Sequence, residues 1–89
     1  MRNLYFQRST GQYLLIKENV VDENEALKEI SDFLKRHNYT SYYTRYWTHG
    51  DETTFDVGSW SEFFKLAPAE GNFNVVGTEA DFIERKQNA

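Results

Sequence analysis

The 89-residue chain contains no cysteine, one proline and five glycines. Without cysteine it forms neither disulfide bonds nor a thiolate zinc site, so its stability depends on a hydrophobic core. No apolar run approaches the ~20 residues that span a bilayer. The N-terminus also lacks the regions of a signal peptide. The sequence therefore predicts a cytoplasmic protein with one domain over residues 1 to 89.

Basic residues are scarce as well. Ten Lys and Arg stand against fourteen Asp and Glu, which gives a formal net charge of -4. Proteins that capture nucleic acid electrostatically present a basic surface. The charge balance therefore disfavours a general nucleic-acid binder, although it leaves a local basic patch open.

Catalytic signatures are missing too. The chain has no glycine-rich phosphate loop and no nucleophile elbow. His49, Asp51, Glu52 and Asp56 cluster in sequence and are residue types that serve in metal or acid–base sites. Their spacing matches no metal motif, and His-Gly-Asp-Glu is ordinary turn chemistry. We therefore predict a protein that is not an enzyme, with no catalytic residues, no metal and no cofactor.

Aromatic residues, in contrast, are abundant. Seven Phe, six Tyr and two Trp make up 17% of the chain, and each buries roughly 150–250 Å² when packed. The densest group is residues 39 to 47, Tyr-Thr-Ser-Tyr-Tyr-Thr-Arg-Tyr-Trp, with five rings and one guanidinium in nine residues. A strand of this composition carries rings on both faces, which is more than one small core can bury.

The first half of the chain predicts a hairpin followed by a helix. Residues 3 to 8 and 12 to 17 alternate in hydrophobicity around a short turn and predict two strands. Residues 22 to 37 carry the apolar spacing of an amphipathic helix. Asp22 with Glu25 forms a capping-box pair, and Val21 before the cap predicts a hydrophobic staple to the first turn.

The second half predicts another hairpin, from residues 39 to 48 and 53 to 58. Residues 59 to 66 fit either a short helix or an edge strand. We favour an extended segment or single turn that folds two phenylalanines back onto the sheet.

The C-terminal part, residues 67 to 89, is the least defined. Residues 67 to 72 predict a loop and residues 73 to 76 a short strand. Thr78 is expected to cap a short helix that carries Phe82 and Ile83. The last residues are expected to fray.

The predicted order is ββαββ followed by short C-terminal elements. A single amphipathic helix needs an apolar surface to cover, and a sheet face is the only large candidate. The sequence therefore predicts an α+β fold, a two-layer sandwich with an antiparallel sheet and one main helix across one face.

This architecture assigns the aromatic strand a role. One face would carry Tyr42, Thr44 and Tyr46, and the other Tyr43, Arg45 and Trp47. Only one set can face the helix, which leaves the other for contact with a partner.

Tyr, Trp and Arg are the residue types most enriched in binding hot spots. We predict a binding surface for a protein partner, or for a second copy of the chain in a dimer, formed by Tyr43, Arg45, Trp47 and Trp60.

The alternative is a single-stranded nucleic-acid-binding module that uses the same rings. Single strands bind through aromatic platforms beside a basic groove. Lys35, Arg36, His37 and Arg45 lie near the rings in sequence and would supply the charge.

The run from Thr53 to Phe64, Thr-Thr-Phe-Asp-Val-Gly-Ser-Trp-Ser-Glu-Phe-Phe, follows the Tyr-rich strand. With it, residues 1 to 66 resemble small uncharacterised proteins from phages and prophages of Gram-positive bacteria. The resemblance brings no catalytic or ligand-binding residues. It implies a small accessory factor of a mobile element that acts in the cytoplasm of the bacterial host by binding another molecule.

Overall fold

The described residues form six strands, one main helix and a short 3-10 turn. The computed structural model describes residues 2–41, 43–69 and 73–82. In chain order its elements are β1 (Arg2–Gln7), β2 (Tyr13–Val20), α1 (Glu23–Arg36), β3 (Arg45–His49), β4 (Glu52–Asp56), β5 (Phe63–Pro68), β6 (Val75–Thr78) and the 3-10 turn η1 (Glu79–Asp81).

The strands form one sheet in the order β3-β4-β5-β1-β2-β6. Neighbouring strands are antiparallel except β2 and β6, which are parallel. Helix α1 packs over β2 and β5. The predicted α+β class, with one main helix on a largely antiparallel sheet, is confirmed.

Helix α1 begins as its sequence predicts. Asp22 Oδ1 accepts a hydrogen bond of 2.9 Å from the Glu25 backbone N–H. Glu25 Oε1 in turn accepts one of 2.6 Å from the Val21 N–H. The predicted staple is wrong, because the Val21 side chain is 68% exposed. Val20, the last residue of β2, is the buried one, since consecutive strand residues point to opposite faces.

The first hairpin is confirmed, but β2 runs to Val20, three residues beyond its predicted end. Its register against β1 shifts twice. Asn19 adopts a left-handed conformation with φ 57°, and its backbone N–H donates to Asn3 Oδ1 at 3.1 Å. The nearly buried Asn3 amide therefore holds the bulged end of β2 in place.

Strand β5 corrects the expectation for residues 59–66. Residues 63–68 form a strand in the middle of the sheet, between β4 and β1. Phe64 and Leu66 are fully buried on one face and Ala67 on the other. Burial on both faces removes the alternation that identifies a strand. The prediction that Ala67 and Pro68 begin a loop is also wrong, because they are the last residues of β5.

The C-terminal elements complete the core. Thr78 is the N-cap of the short η1 turn, as predicted, and its N–H donates to Asp81 Oδ2 at 2.9 Å. The turn ends at Asp81, so Phe82 follows it instead of lying within a helix. Phe82 then packs against Phe33 and Phe6, with ring centroids 5.0 and 5.2 Å apart. Ile83, residues 70–72 of the predicted loop, and the predicted fraying over residues 85–89 lie outside the described residues.

Glu79 connects this C-terminal turn to the end of α1 through hydrogen bonds. Its carboxylate accepts hydrogen bonds of 2.8 and 3.0 Å from the Arg36 guanidinium. Its Oε2 also lies 2.7 Å from His37 Nε2. Burial alone would raise the pKa of Glu79, but the hydrogen bonds from Arg36 and His37 outweigh it and hold the pKa below its usual value.

The Glu79 contacts predict an acid-sensitive contribution to stability. A carboxyl group whose pKa is lowered by folding stabilises the native state above its unfolded pKa, and the contribution disappears as the pH falls through the folded pKa. Because the group is partly solvated, we expect Glu79→Gln to cost about 1 kcal/mol at neutral pH. The difference from wild type should shrink when urea unfolding is repeated below the ordinary pKa of 4.5.

The matched control is Glu18→Gln, which removes the same charge from an exposed position on β2. It should leave the unfolding free energy within about 0.5 kcal/mol of wild type. A difference between Glu79→Gln and wild type that is the same at acidic and neutral pH would show that the Arg36 and His37 contacts do not stabilise the fold.

Candidate aromatic contact surface

Three of the four exposed aromatic side chains lie on or just before β3, at one edge of the sheet. Tyr43, Tyr46, Trp47 and Trp60 retain 50, 46, 48 and 100% of their accessible surface. Among the residues that the structure describes, these are the only aromatic side chains in the exposed class. Tyr46 and Trp47 lie on β3 and Tyr43 just before it, whereas Trp60 lies in the loop between β4 and β5. We call Tyr43, Arg45, Tyr46 and Trp47 the aromatic edge.

Strand β3 is exposed because it ends the sheet. It pairs only with β4, and all five of its residues are exposed. Helix α1 packs mainly over β2 and β5, and β4 lies between these strands and β3. The prediction that the helix covers one face of this strand is therefore wrong, and both faces remain accessible.

Strand β3 is also shorter than predicted, because it starts at Arg45 rather than at residue 39. The preceding residues are held by the end of α1. The Tyr39 N–H donates to Leu34 O at 2.9 Å, after Asn38 has turned into a left-handed conformation with φ 51°. The Tyr39 hydroxyl donates to Glu62 Oε1 at 2.7 Å. Tyr39 is therefore a structural residue, and Tyr42 lies outside the described residues.

The two faces of β3 carry different groups. Tyr46 lies opposite Phe55, and their ring centroids are 5.3 Å apart, which places Tyr46 on the helix side of the sheet. Arg45 and Trp47 point to the opposite side, since side chains alternate along a strand. The Arg45 guanidinium carbon lies 5.5 Å from the centre of the Tyr43 ring. Three of the four predicted binding residues therefore share one face.

The fourth predicted residue, Trp60, stands apart. It lies in the loop between β4 and β5, and its side chain is fully exposed, so it packs against none of the other three. Ser59 Oγ accepts a 3.2 Å hydrogen bond from the Glu62 N–H and shapes the loop around Trp60. Its membership of the binding surface stays a prediction.

Asp56 holds Arg45 in position in the aromatic edge, a role that was not predicted from the sequence. It is nearly buried directly across from Arg45. Its Oδ2 accepts a 3.1 Å hydrogen bond from Arg45 Nε, and its Oδ1 accepts one of 2.9 Å from the Gly58 N–H. The sequence had grouped Asp56 with possible acid–base residues. The opposite charges of Arg45 and Asp56 in facing strands would have indicated the pair.

A groove borders the helix side of the same edge. It has a volume of about 650 Å³ and runs between α1 and the connection that leads to β3. Its main apolar and hydroxyl lining comes from Leu27, Ile30, Leu34, Tyr39, Ser41 and Thr44. The apolar stripe of α1 predicted the helix side of this groove. No sequence feature predicted that Tyr39, Ser41 and Thr44 would line its other side.

Most of the cations considered for nucleic-acid binding are paired with carboxylates. Arg36 forms salt bridges with Glu29 and Glu79, at 2.9 and 2.8 Å, and these raise the pKa of its guanidinium. His37 also contacts Glu79, and Arg45 contacts Asp56. This pairing reduces the positive potential that the side chains present to a phosphate backbone.

Comparison of the chain with protein-family models, curated proteins and solved structures finds no match.

The described residues contain neither a metal-binding cluster nor a membrane-spanning helix. Within them, no group of three or more His, Asp or Glu side chains is placed to hold a metal ion. His49 and Glu52 flank the turn of the second hairpin, and Glu52 lies 3.7 Å from Lys65. No helix in the described part of the chain is long and apolar enough to cross a membrane.

Proposed function

We propose that this protein acts without catalysis, by binding another protein through the aromatic edge together with Trp60. The observation that carries the proposal is the segregation of rings. The other aromatic side chains in the described ranges are buried or partly buried, whereas three of the four exposed ones lie on or just before β3. Exposed apolar groups that cluster in this way are typical of interaction sites.

The composition of the edge suits a tight contact. Tyr, Trp and Arg dominate binding hot spots because they bury large areas and keep a polar group for hydrogen bonding. Arg45 is already held by Asp56 and by the Tyr43 ring. A side chain that is ordered before binding loses less conformational entropy when the complex forms.

The second candidate is a single-stranded nucleic-acid-binding module. It is supported by the same exposed rings and by the guanidinium of Arg45, which can stack with bases. The carboxylate partners of Arg36, His37 and Arg45 count against it. So does the net charge of -4.

The resemblance to phage and prophage proteins supplies the proposed setting, the cytoplasm of a Gram-positive host. In that setting the partner would be a host or phage protein, or a second copy of the chain.

The test is affinity capture from extract of such a host with three forms of the protein. Wild type should retain partners that Tyr43→Ala combined with Trp47→Ala loses. Val75→Ala with Val76→Ala, which removes exposed apolar groups at the opposite edge, should retain them. Trp60→Ala, measured separately, establishes whether that side chain belongs to the surface.

Ionic strength separates the two candidates. Binding of a fluorescent oligothymidine should be weak and should fall steeply with salt if it occurs, whereas capture of a protein through an aromatic surface should change little. The proposal is wrong if the double substitution at Tyr43 and Trp47 changes neither the solution mass nor any captured partner. Tight, salt-sensitive oligonucleotide binding that the same substitutions abolish would favour the alternative.

A further inference from the structure

Strand β3 is an unprotected sheet edge. Proteins usually guard such an edge with lysine, proline, a bulge or a covering segment, because its free N–H and C=O groups recruit other strands. β3 contains neither lysine nor proline, and its one Arg is paired with Asp56. Its register with β4 runs without a bulge from Arg45 to His49. Its outer side has no neighbouring strand in the sheet.

The register shows which residues offer these groups. His49 and Glu52 flank a two-residue turn, and in such a hairpin the flanking pair is hydrogen bonded. Bonded and non-bonded pairs then alternate along an antiparallel ladder. Tyr46 and Thr48 therefore direct their N–H and C=O groups away from β4, and Thr44 lies in phase with them just before the strand.

We propose that β3 pairs antiparallel with β3 of a second copy of this chain, about a two-fold axis at Tyr46. This inference rests on the proposed function, since self-association is one form of protein contact through the aromatic edge. In this register Tyr46 faces its equivalent, and each Thr44 faces a Thr48. All three outward positions are used, which gives about six new backbone hydrogen bonds.

The side chains of β3 are complementary in this register. Arg45 of each copy faces Trp47 of the other. Arg45 is the only Lys or Arg in β3, so each guanidinium group of the paired strands lies against an indole ring. The two contacts are related by symmetry, as a closed two-fold interface requires. The six-stranded sheets of the two copies would become continuous, with both α1 helices on the same face.

Neighbouring registers are less favourable. A two-fold axis at Arg45 would place two guanidinium groups directly opposite each other, which is destabilising. An axis at Trp47 would place Arg45 opposite His49 and would leave Thr44 beyond the end of the paired strand. The register centred on Tyr46 is the one that combines full overlap with an uncharged partner for Arg45.

Sedimentation of the wild-type protein over a range of concentrations is the first test. The weight-average mass should rise from 10.5 kDa toward twice that value. Thr48→Pro removes one outward N–H and no backbone hydrogen bond of the hairpin, so it should abolish the rise. It also removes the 3.0 Å hydrogen bond between the Thr48 and Thr53 hydroxyls, which the control Thr48→Ala removes equally. Thr48→Ala keeps the N–H and should behave as wild type.

The absence of cysteine allows the register to be read directly. Thr44→Cys and Thr48→Cys proteins, mixed under mild oxidation, should form mixed disulfide dimers well above either homodimer, because paired strand positions lie within disulfide reach. This measurement does not depend on the folding of the proline variant. Homodimers of Thr48→Cys in excess, or random linkage, would overturn the proposed pairing.

A wild-type mass that stays at 10.5 kDa up to about 1 mM would overturn this inference alone. The proposed function would survive that result if Tyr43→Ala with Trp47→Ala still abolished capture of a different protein. The proposed function would fail together with this inference only if the double variant also left the capture of every partner unchanged.

Discussion

Replacing Phe33 by alanine is expected to lower the free energy of unfolding by about 3–5 kcal/mol. The Phe33 side chain is fully buried in α1, and its ring packs 5.6, 5.2 and 5.0 Å from those of Phe6, Phe64 and Phe82. It is the residue through which the helix, two central strands and the C-terminal segment meet. Truncation therefore removes contacts to three elements and leaves a cavity between them.

A protein of 89 residues has a thin core, and total stabilities of small domains lie near 5–15 kcal/mol. Phe33→Ala should therefore be marginally folded in urea titrations followed by circular dichroism. Lys28→Ala, on the exposed side of the same helix, should stay within about 0.5 kcal/mol of wild type. A loss below about 1 kcal/mol for Phe33→Ala would contradict the proposed arrangement of the core.

Replacing Phe82 by alanine is expected to cost about 2–3 kcal/mol, less than a fully buried phenylalanine because its ring is only partly covered. Besides Phe6 and Phe33, this ring approaches His37 at 4.8 Å and Tyr39 at 6.3 Å. Its removal should also loosen the Glu79 contacts to the end of α1. Phe82→Leu should recover most of the lost stability, since it refills the same apolar space.

Phe33 and Phe82 touch each other, so their substitutions should not be additive. Once one ring is absent, removal of the other costs less, and the double variant should be more stable than the sum of the single losses implies. Equal unfolding free energies for Phe82→Ala and wild type would show that the C-terminal segment is not part of the folded core.

Helix α1 and the first hairpin were predicted correctly because their sequence signals are local. The α1 helix follows from its apolar stripe and from Asp22 and Glu25, and the first hairpin follows from alternation around a short turn. These signals depend on residues a few positions apart. The α+β class followed because one apolar helix stripe needs one sheet face.

The errors concern long-range pairing. β5 lies between β4 and β1, and nothing in residues 63–68 shows which strands will flank them. Residues 39–44 have strand-forming composition, but the hydrogen bond from the Tyr39 N–H to Leu34 O ties their start to the helix end. Tertiary contacts therefore override β-propensity there.

Candidate-site residues were identified for a partly wrong reason. Tyr43, Arg45 and Trp47 are exposed because β3 ends the sheet, and not because the helix covers the other face. Exposure of an edge strand depends on strand order, which a local pattern does not encode. The residue types were informative, since an excess of rings over the capacity of one core could be counted directly.

We propose that the rings around β3 serve contact rather than stability, and the stability of one double variant tests this most directly. The unfolding free energy of Tyr43→Ala with Trp47→Ala should be determined by urea titration at low protein concentration, where self-association is absent. Both side chains are half exposed and on an edge strand, so the expected loss is below about 2 kcal/mol. A loss as large as that of Phe33→Ala would mean that the rings are structural and would contradict the account.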